Sequence, residues 1–146
     1  MEISRLIEGR ASSNVISSTV DAPVREAIAL LASKRIGAVP IMEGGRIVGI
    51  FSERDYMNEV ILKGKSSKTT HVREIMSSDV ITISPHDSVV HGMHKMTREK
   101  VRHLPVVEGG KVVGILSIGD LVKWIISAQD TLIHQLEGYI KGTYPA

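Results

Sequence analysis

The sequence predicts an α+β fold, helices layered on sheets, made of two tandem copies of a β-α-β-β-α unit. Three observations carry this. PIMEGGRIVGIFSERD (residues 40–55) and PVVEGGKVVGILSIGD (residues 105–120) align without a gap at an offset of 65, with nine of sixteen positions identical. The pairing continues upstream, where Val15-Ile16 matches Val80-Ile81 and Val24 matches Val89. The hydrophobic pattern also switches between extended and helical periods in the same order in both copies. Self-similarity at a fixed offset is the signature of a duplicated structural unit.

Residues 1–13 form a lead-in, 14–62 the first unit and 79–125 the second. Each unit opens with a short strand, Val15 to Ser18 or Val80 to Ile83. A proline-containing turn follows, Asp21-Ala22-Pro23 or Ser84-Pro85-His86-Asp87. Next comes a helix. Val24, Ala27, Ile28 and Leu31 fall at i, i+3, i+4 and i+7, an apolar stripe, and Val89, Met93 and Met96 take that part in the second unit. Gly44-Gly45 and Gly109-Gly110, set between β-branched runs, mark two-residue hairpins, because glycine reaches the positive φ such turns need. A second helix starts near Ser52 or Ser117. Residues 63–78 hold a polar linker, KGKSSKTTH, and a short helical turn, VREIM. Residues 126–146 hold a C-terminal helix, from about Ser127 to Lys141, and a tail. Neither unit can bury both faces of a three-stranded sheet alone, so the two are expected to pack through their sheets.

Composition narrows the function. The chain has 146 residues and a formal net charge of +2, with a sequence pI near 9.0. It lacks the basic run and the set of aromatics that nucleic-acid binding needs. One Trp, one Phe and three Tyr leave an aliphatic core. There is no cysteine, which excludes disulfides, a thiol nucleophile and thiolate zinc sites. No stretch approaches the roughly 18 apolar residues of a membrane span. The start, MEISRLIEGR, lacks a signal-peptide pattern, so a soluble cytoplasmic protein is expected.

The tandem unit, each copy closing in Gly-apolar-x-Ser-x-x-Asp, resembles the CBS-domain pair, or Bateman module. The resemblance is carried by VGIFSERD and VGILSIGD, by IGAVPIME and VRHLPVVE, and by the lead-ins VISSTVDAPV and VITISPHDSV. It covers about residues 14–125. It implies a non-catalytic regulatory module that binds adenosine-containing ligands, AMP, ADP, ATP, NAD(H) or S-adenosylmethionine, in the cleft between repeats. It also implies a disc-shaped homodimer that signals energy or redox state to an effector protein. No metal, nucleic acid or membrane partner is implied.

The Ser-x-x-Asp ends suit that chemistry. A carboxylate can accept hydrogen bonds from both ribose hydroxyls, and Asp55 and Asp120 stand near helix starts. Ser52 and Ser117 add hydroxyls. The same pattern is also an ordinary helix cap, and both roles can coexist. The resemblance implies that each pocket straddles the units. One site is expected to combine Asp120, Ser117, Arg102 and His103 with Asn14 and Ile16. The other is expected to combine Asp55, Ser52, Arg54 and Ala38 with Val80 and Ile81. Where the family usually has Ser or Thr before the acid, this chain has Arg54 and Gly119, so the sites are expected to differ. Arg54 reads either as a phosphate fork or as a solvated surface residue. Arg102 and His103 make the Asp120 site the expected phosphate site, although His103 also reads as a structural histidine.

Other features add less. His91 and His94, three apart on a helix, read as solvated surface rather than as metal ligands. The glycines of EGGRIVG lie in a hairpin and are not a phosphate loop. Leu132, Leu136 and Ile140 are expected to pack against the module or across a dimer seam, or to meet a partner. The alternative function is a structural dimerisation or interaction module without a physiological nucleotide.

Overall fold

The computed structural model describes residues 1–8 and 15–140. A short helix α1 (Ile3–Ile7) precedes β1 (Ser18–Thr19), α2 (Val24–Lys34), β2 (Ala38–Glu43) and β3 (Arg46–Ser52). Helix α3 (Glu53–Asp55) then runs directly into a π-helical turn, Tyr56–Ile61. Helix α4 (Val72–Ile75) introduces the second copy: α5 (Val89–Glu99), β4 (His103–Glu108), β5 (Lys111–Ser117) and α6 (Ile118–Ile140). The duplicated α+β architecture is the one the sequence predicts.

The hairpins match in detail. Gly44 and Gly45 have φ of 59° and 78°, Gly109 and Gly110 of 58° and 78°, the positive pair a tight two-residue turn demands. Both hairpins slip register at the same place, between Ile41 and Met42 and between Val106 and Val107. A bulge there tightens the local twist in each copy.

The opening strands are shorter than the sequence implies. In the first sheet β1 is only Ser18–Thr19, parallel to Ile41 and Met42. In the second, the expected strand Val80 to Ile83 reduces to one parallel bridge, Ile83 to Val106, leaving the two strands β4 and β5. Pro85, two residues on, has no N–H to extend a ladder. The C-terminal helix is not separate either. It is the end of α6, which runs unbroken for 23 residues. Ser127 lies inside it, and Lys141 lies outside the described residues.

Each copy has its own aliphatic core. Val24, Leu31, Val39, Ile41, Phe51 and Val60 build the first, and Val89, Leu104, Val106 and Leu116 build the second. The two hairpins touch through β3 and β5. A further exchange joins the copies. Helix α4, which leads into the second unit, buries Val72 and Ile75 in the first core. Helix α1, which leads into the first unit, buries Ile3 completely in the second.

The hydrogen bonds of this crossing repeat. Val24 N donates to Thr70 O, and Val72 N to Ala22 O; correspondingly Val89 N donates to Met1 O, and Ile3 N to Asp87 O. Arg73 N to Val20 O is mirrored by Ser4 N to Pro85 O. The lead-ins correspond at an offset of 69 rather than 65, Ile3 with Val72 and Ile7 with Met76. The different offset hid this correspondence from the sequence comparison. The lead-ins press on equivalent glycines. A Cβ on Gly49 would stand 2.5 Å from Met76 Sδ, and one on Gly114 would stand 3.2 Å from Ile7 Cδ1.

Ile3→Ala deletes a buried side chain at this crossing and is expected to destabilise the chain by about 2–5 kcal/mol. Denaturant unfolding reads this. A loss below about 0.5 kcal/mol, the scale of a surface substitution, would show that α1 is only loosely attached.

Candidate functional site

Both Ser-x-x-Asp ends form caps. Ser52 N donates to Asp55 Oδ2 at 2.9 Å, and Asp55 N donates to Ser52 Oγ at 3.2 Å. In the second copy Ser117 N donates to Asp120 Oδ2 at 2.7 Å, and Asp120 N to Ser117 Oγ at 3.2 Å. These reciprocal pairs satisfy backbone donors at two helix starts. Among the described residues Asp55 Oδ1 meets a long contact, 3.5 Å, from the Ser77 hydroxyl. Burial pushes the Asp55 carboxyl above its ordinary range, against the hydrogen bonds from Ser52 and Ser77. That direction marks a partly desolvated acceptor. The turn after Asp55 is π-helical, a form rare in general and concentrated at functional sites.

Two clefts open along the seam. One, about 490 Å³, joins the first copy's Ser52, Arg54 and Asp55 to the second copy's lead-in, Ser77, Asp79 and Ile81. Its far wall is the stretch after α5, from Lys100 to His103. The other, about 560 Å³, joins Ser117, Gly119 and Asp120 to Val15 and Ile16. Its far wall is the stretch after α2, from Arg35 to Ala38. Each acid therefore shares a cleft with the lead-in of the other copy. The path is forced: Ser77 bridges Ile50 before the chain leaves for the second unit, so residues 77–81 must pass the start of α3.

The expected partners are redistributed. Ser52, Arg54, Asp55 and Ile81 share one cleft, and Ile16, His103, Ser117 and Asp120 the other. Arg102 lies in the Asp55 cleft, not with Asp120. Ala38 lies in the Asp120 cleft, not with Asp55. Val80 lines neither cleft, and Asn14 lies outside the described residues. The cause is the pseudo-twofold relation. The stretch after each central helix reaches across to the cap of the other copy, and an offset says which residues correspond but not on which side of the axis they land. Gly37 and His103 border both clefts. The His103 ring packs so close to Gly37 that a Cβ there would stand 3.0 Å from Nε2.

Arg35 and Lys100 were not anticipated. They end α2 and α5 with φ of 54° and 56°, the left-handed region usually left to glycine. A non-glycine residue there costs about 1–2 kcal/mol, and here both are cations that line clefts. The signal was legible: a basic residue where a helix-ending glycine is usual, twice, at the repeat offset. His91 and His94 are exposed on α5. Among the described residues no three His, Asp or Glu side chains converge as a metal site would require. No helix among them is long and apolar enough to cross a membrane.

Comparison with known proteins identifies the fold. The CBS-domain profile matches residues 6–62 and 72–127. A solved structure from Burkholderia ambifaria, described as a putative signal-transduction protein with CBS domains, is 40% identical with a TM-score of 0.83, covering 88% of this chain and 96% of that one. The mitochondrial CBS domain-containing protein CBSX3 of Arabidopsis thaliana is 34% identical over 131 residues, 86% of this chain and 64% of that protein. The chain thus spans just under two thirds of that relative's length. The CBS domain pair of protein MJ0100, solved with 5′-methylthioadenosine and S-adenosyl-L-methionine, shares the fold at 24% identity and a TM-score of 0.75, covering 88% of this chain and 98% of that one.

Burial holds the His103 imidazole below its ordinary value of 6.5, Arg102 acting in the same direction and Glu53 and Asp120 against it. The unfolded chain therefore binds this proton more readily than the folded one, and stability falls as pH drops through about 6.5. In His103→Gln this loss is absent. The difference in Tm, variant minus parent, should rise between pH 7.5 and 5.5. A constant difference would place the ring in free contact with water.

Proposed function

The chain belongs to the CBS-domain family, and from that premise we propose that it senses an adenosine-containing ligand, AMP, ADP, ATP or NAD(H), in the seam between its repeats. On this reading it performs no reaction. The ligand favours one arrangement of the two copies, and an effector protein reads the change. The observation that carries the proposal is the pairing, in each cleft, of a capped carboxylate with an aliphatic lead-in from the other copy.

The parts fit the ligand. Asp55 and Asp120 accept from the ribose hydroxyls. An acid in that place disfavours a 2′-phosphate and so NADP. Ile81 in one cleft and Val15 and Ile16 in the other supply apolar walls for adenine. Adenosine compounds are what the MJ0100 pair was captured with, and this supports the ligand class.

The module also works as a homodimer on this reading. Met57 and Ile61 are exposed on the first copy, and their equivalents Val122 and Ile126 on the second. A stripe presented twice about a pseudo-twofold axis offers a second copy the same surface twice, as an isologous interface requires. That stripe also favours the alternative reading, an assembly module without a nucleotide. Leu132, Leu136 and Ile140 remain exposed within the chain and do not pack on their own module. Sedimentation equilibrium that found only monomer would remove the dimer.

Asp55→Asn and Asp120→Asn separate capping from ligand binding, since the amide oxygen can still accept from Ser52 N or Ser117 N. Titration calorimetry with AMP, ATP and NADH is expected to show at least ten-fold weaker binding, about 1.4 kcal/mol, with Tm within a few degrees of the parent. Unchanged affinity in both variants would confine these acids to capping and favour the assembly module.

A further inference from the structure

We propose that the two clefts take different ligands: a polyphosphorylated nucleotide beside Asp55, and a nucleoside carrying little charge beside Asp120. The inference rests on the adenosine reading above and divides it between the sites. It also reverses the sequence expectation that the Asp120 site holds the phosphates.

The argument runs position by position. Both clefts hold one cation in the left-handed cap, Lys100 beside Asp55 and Arg35 beside Asp120. Three neighbouring positions differ. Where the Asp55 cleft has Glu53 and Arg54, the Asp120 cleft has Ile118 and Gly119. Where the Asp55 cleft has Arg102, its counterpart has Gly37. Among the described residues three permanent cations, Arg54, Lys100 and Arg102, thus line one cleft, against one in the other.

Acids are present too. Three carboxylates, Glu53, Asp79 and Asp55 itself, line the Asp55 cleft. Yet among the described residues the ion pairs run elsewhere: Arg73 to Asp21 and Glu43, His86 to Glu108, Arg98 to Glu99. None joins Arg54, Lys100 or Arg102 to an acid of the cleft. These cations are left for a ligand, and guanidinium forks match phosphate oxygens. Both clefts have apolar walls, Ile50, Ile81 and Val101 in one and Ile7, Ile16, Ile36 and Val113 in the other, and with fewer cations beside it the second suits a base and an uncharged substituent.

The two caps add a second line. Lys100 is a backbone conformation glycine would adopt more easily, so Lys100→Gly should leave Tm unchanged or raise it by a few degrees while weakening phosphate binding. A side chain kept only for folding cannot give that combination.

Isoleucine-methyl NMR reads each site separately, since Ile50 and Ile81 line only the Asp55 cleft and Ile16 and Ile36 only the other. The probes are ATP and adenosine. ATP is expected to shift Ile50 and Ile81 at concentrations at least ten-fold below those that shift Ile16 and Ile36, with adenosine reversing the order. Arg102→Gly and Lys100→Gly should each raise the ATP midpoint at Ile50 and Ile81 at least ten-fold and leave the adenosine midpoint at Ile16 and Ile36 in place. Equal ATP midpoints at both sets, or ATP affinity untouched by both variants, overturns the division alone. Failure of both probes to move either set at millimolar concentration overturns the adenosine reading with it.

Discussion

The crossing of the lead-ins is the constraint on which the rest depends. Helix α1 must bury Ile3 in the second core, and α4 must bury Val72 and Ile75 in the first. Neither core is closed without a segment that belongs, in sequence, to the other copy. Duplication followed by exchange thus makes the two units one folding body, although their aliphatic clusters stay separate. The short contact between β3 and β5 would be a modest bond by itself; the crossed helices add buried side chains on both sides of it.

The clefts are a consequence of that crossing. A chain that has docked α4 on the first copy must travel back along the first copy's cap to reach the second. Ser77, Asp79 and Ile81 line that path, and Asp55 faces it. The same journey brings Val15 and Ile16 past Asp120. The stretch after each central helix closes the opposite wall. The proposed site therefore sits where the architecture cannot bury everything. The seam keeps a partly desolvated acceptor, Asp55, strained cations and a shared imidazole, none of which a closed core would hold.

Much of this was legible in the sequence. The offset of 65, the paired glycines and the stripe from Val24 to Leu31 are local signals, and they named the unit, its hairpins and its helices. The capping acids were legible for the same reason, because Ser52 and Asp55 lie three residues apart. Other features depend on distant contacts. Met1 and Thr70 serve equivalent backbone donors, yet their offset differs by four from that of the repeats. Arg102 went to the wrong cleft because equivalence does not reveal handedness about an axis. Val80 to Ile83 looked extended by composition, but a strand needs a partner along its length, and in that stretch Ile83 alone pairs, with Val106. The π-turn at Tyr56–Ile61 has no periodicity of its own to betray it.

The most direct measurement is a crystal structure of the protein grown with ATP. The account places the ribose against the Asp55 carboxylate, inside hydrogen-bond distance of its hydroxyls, with the triphosphate reaching Lys100 and Arg102 across the seam. Nucleotide density on an outer helix face, with the seam filled by Ile50, Ile81 and their neighbours, would contradict it.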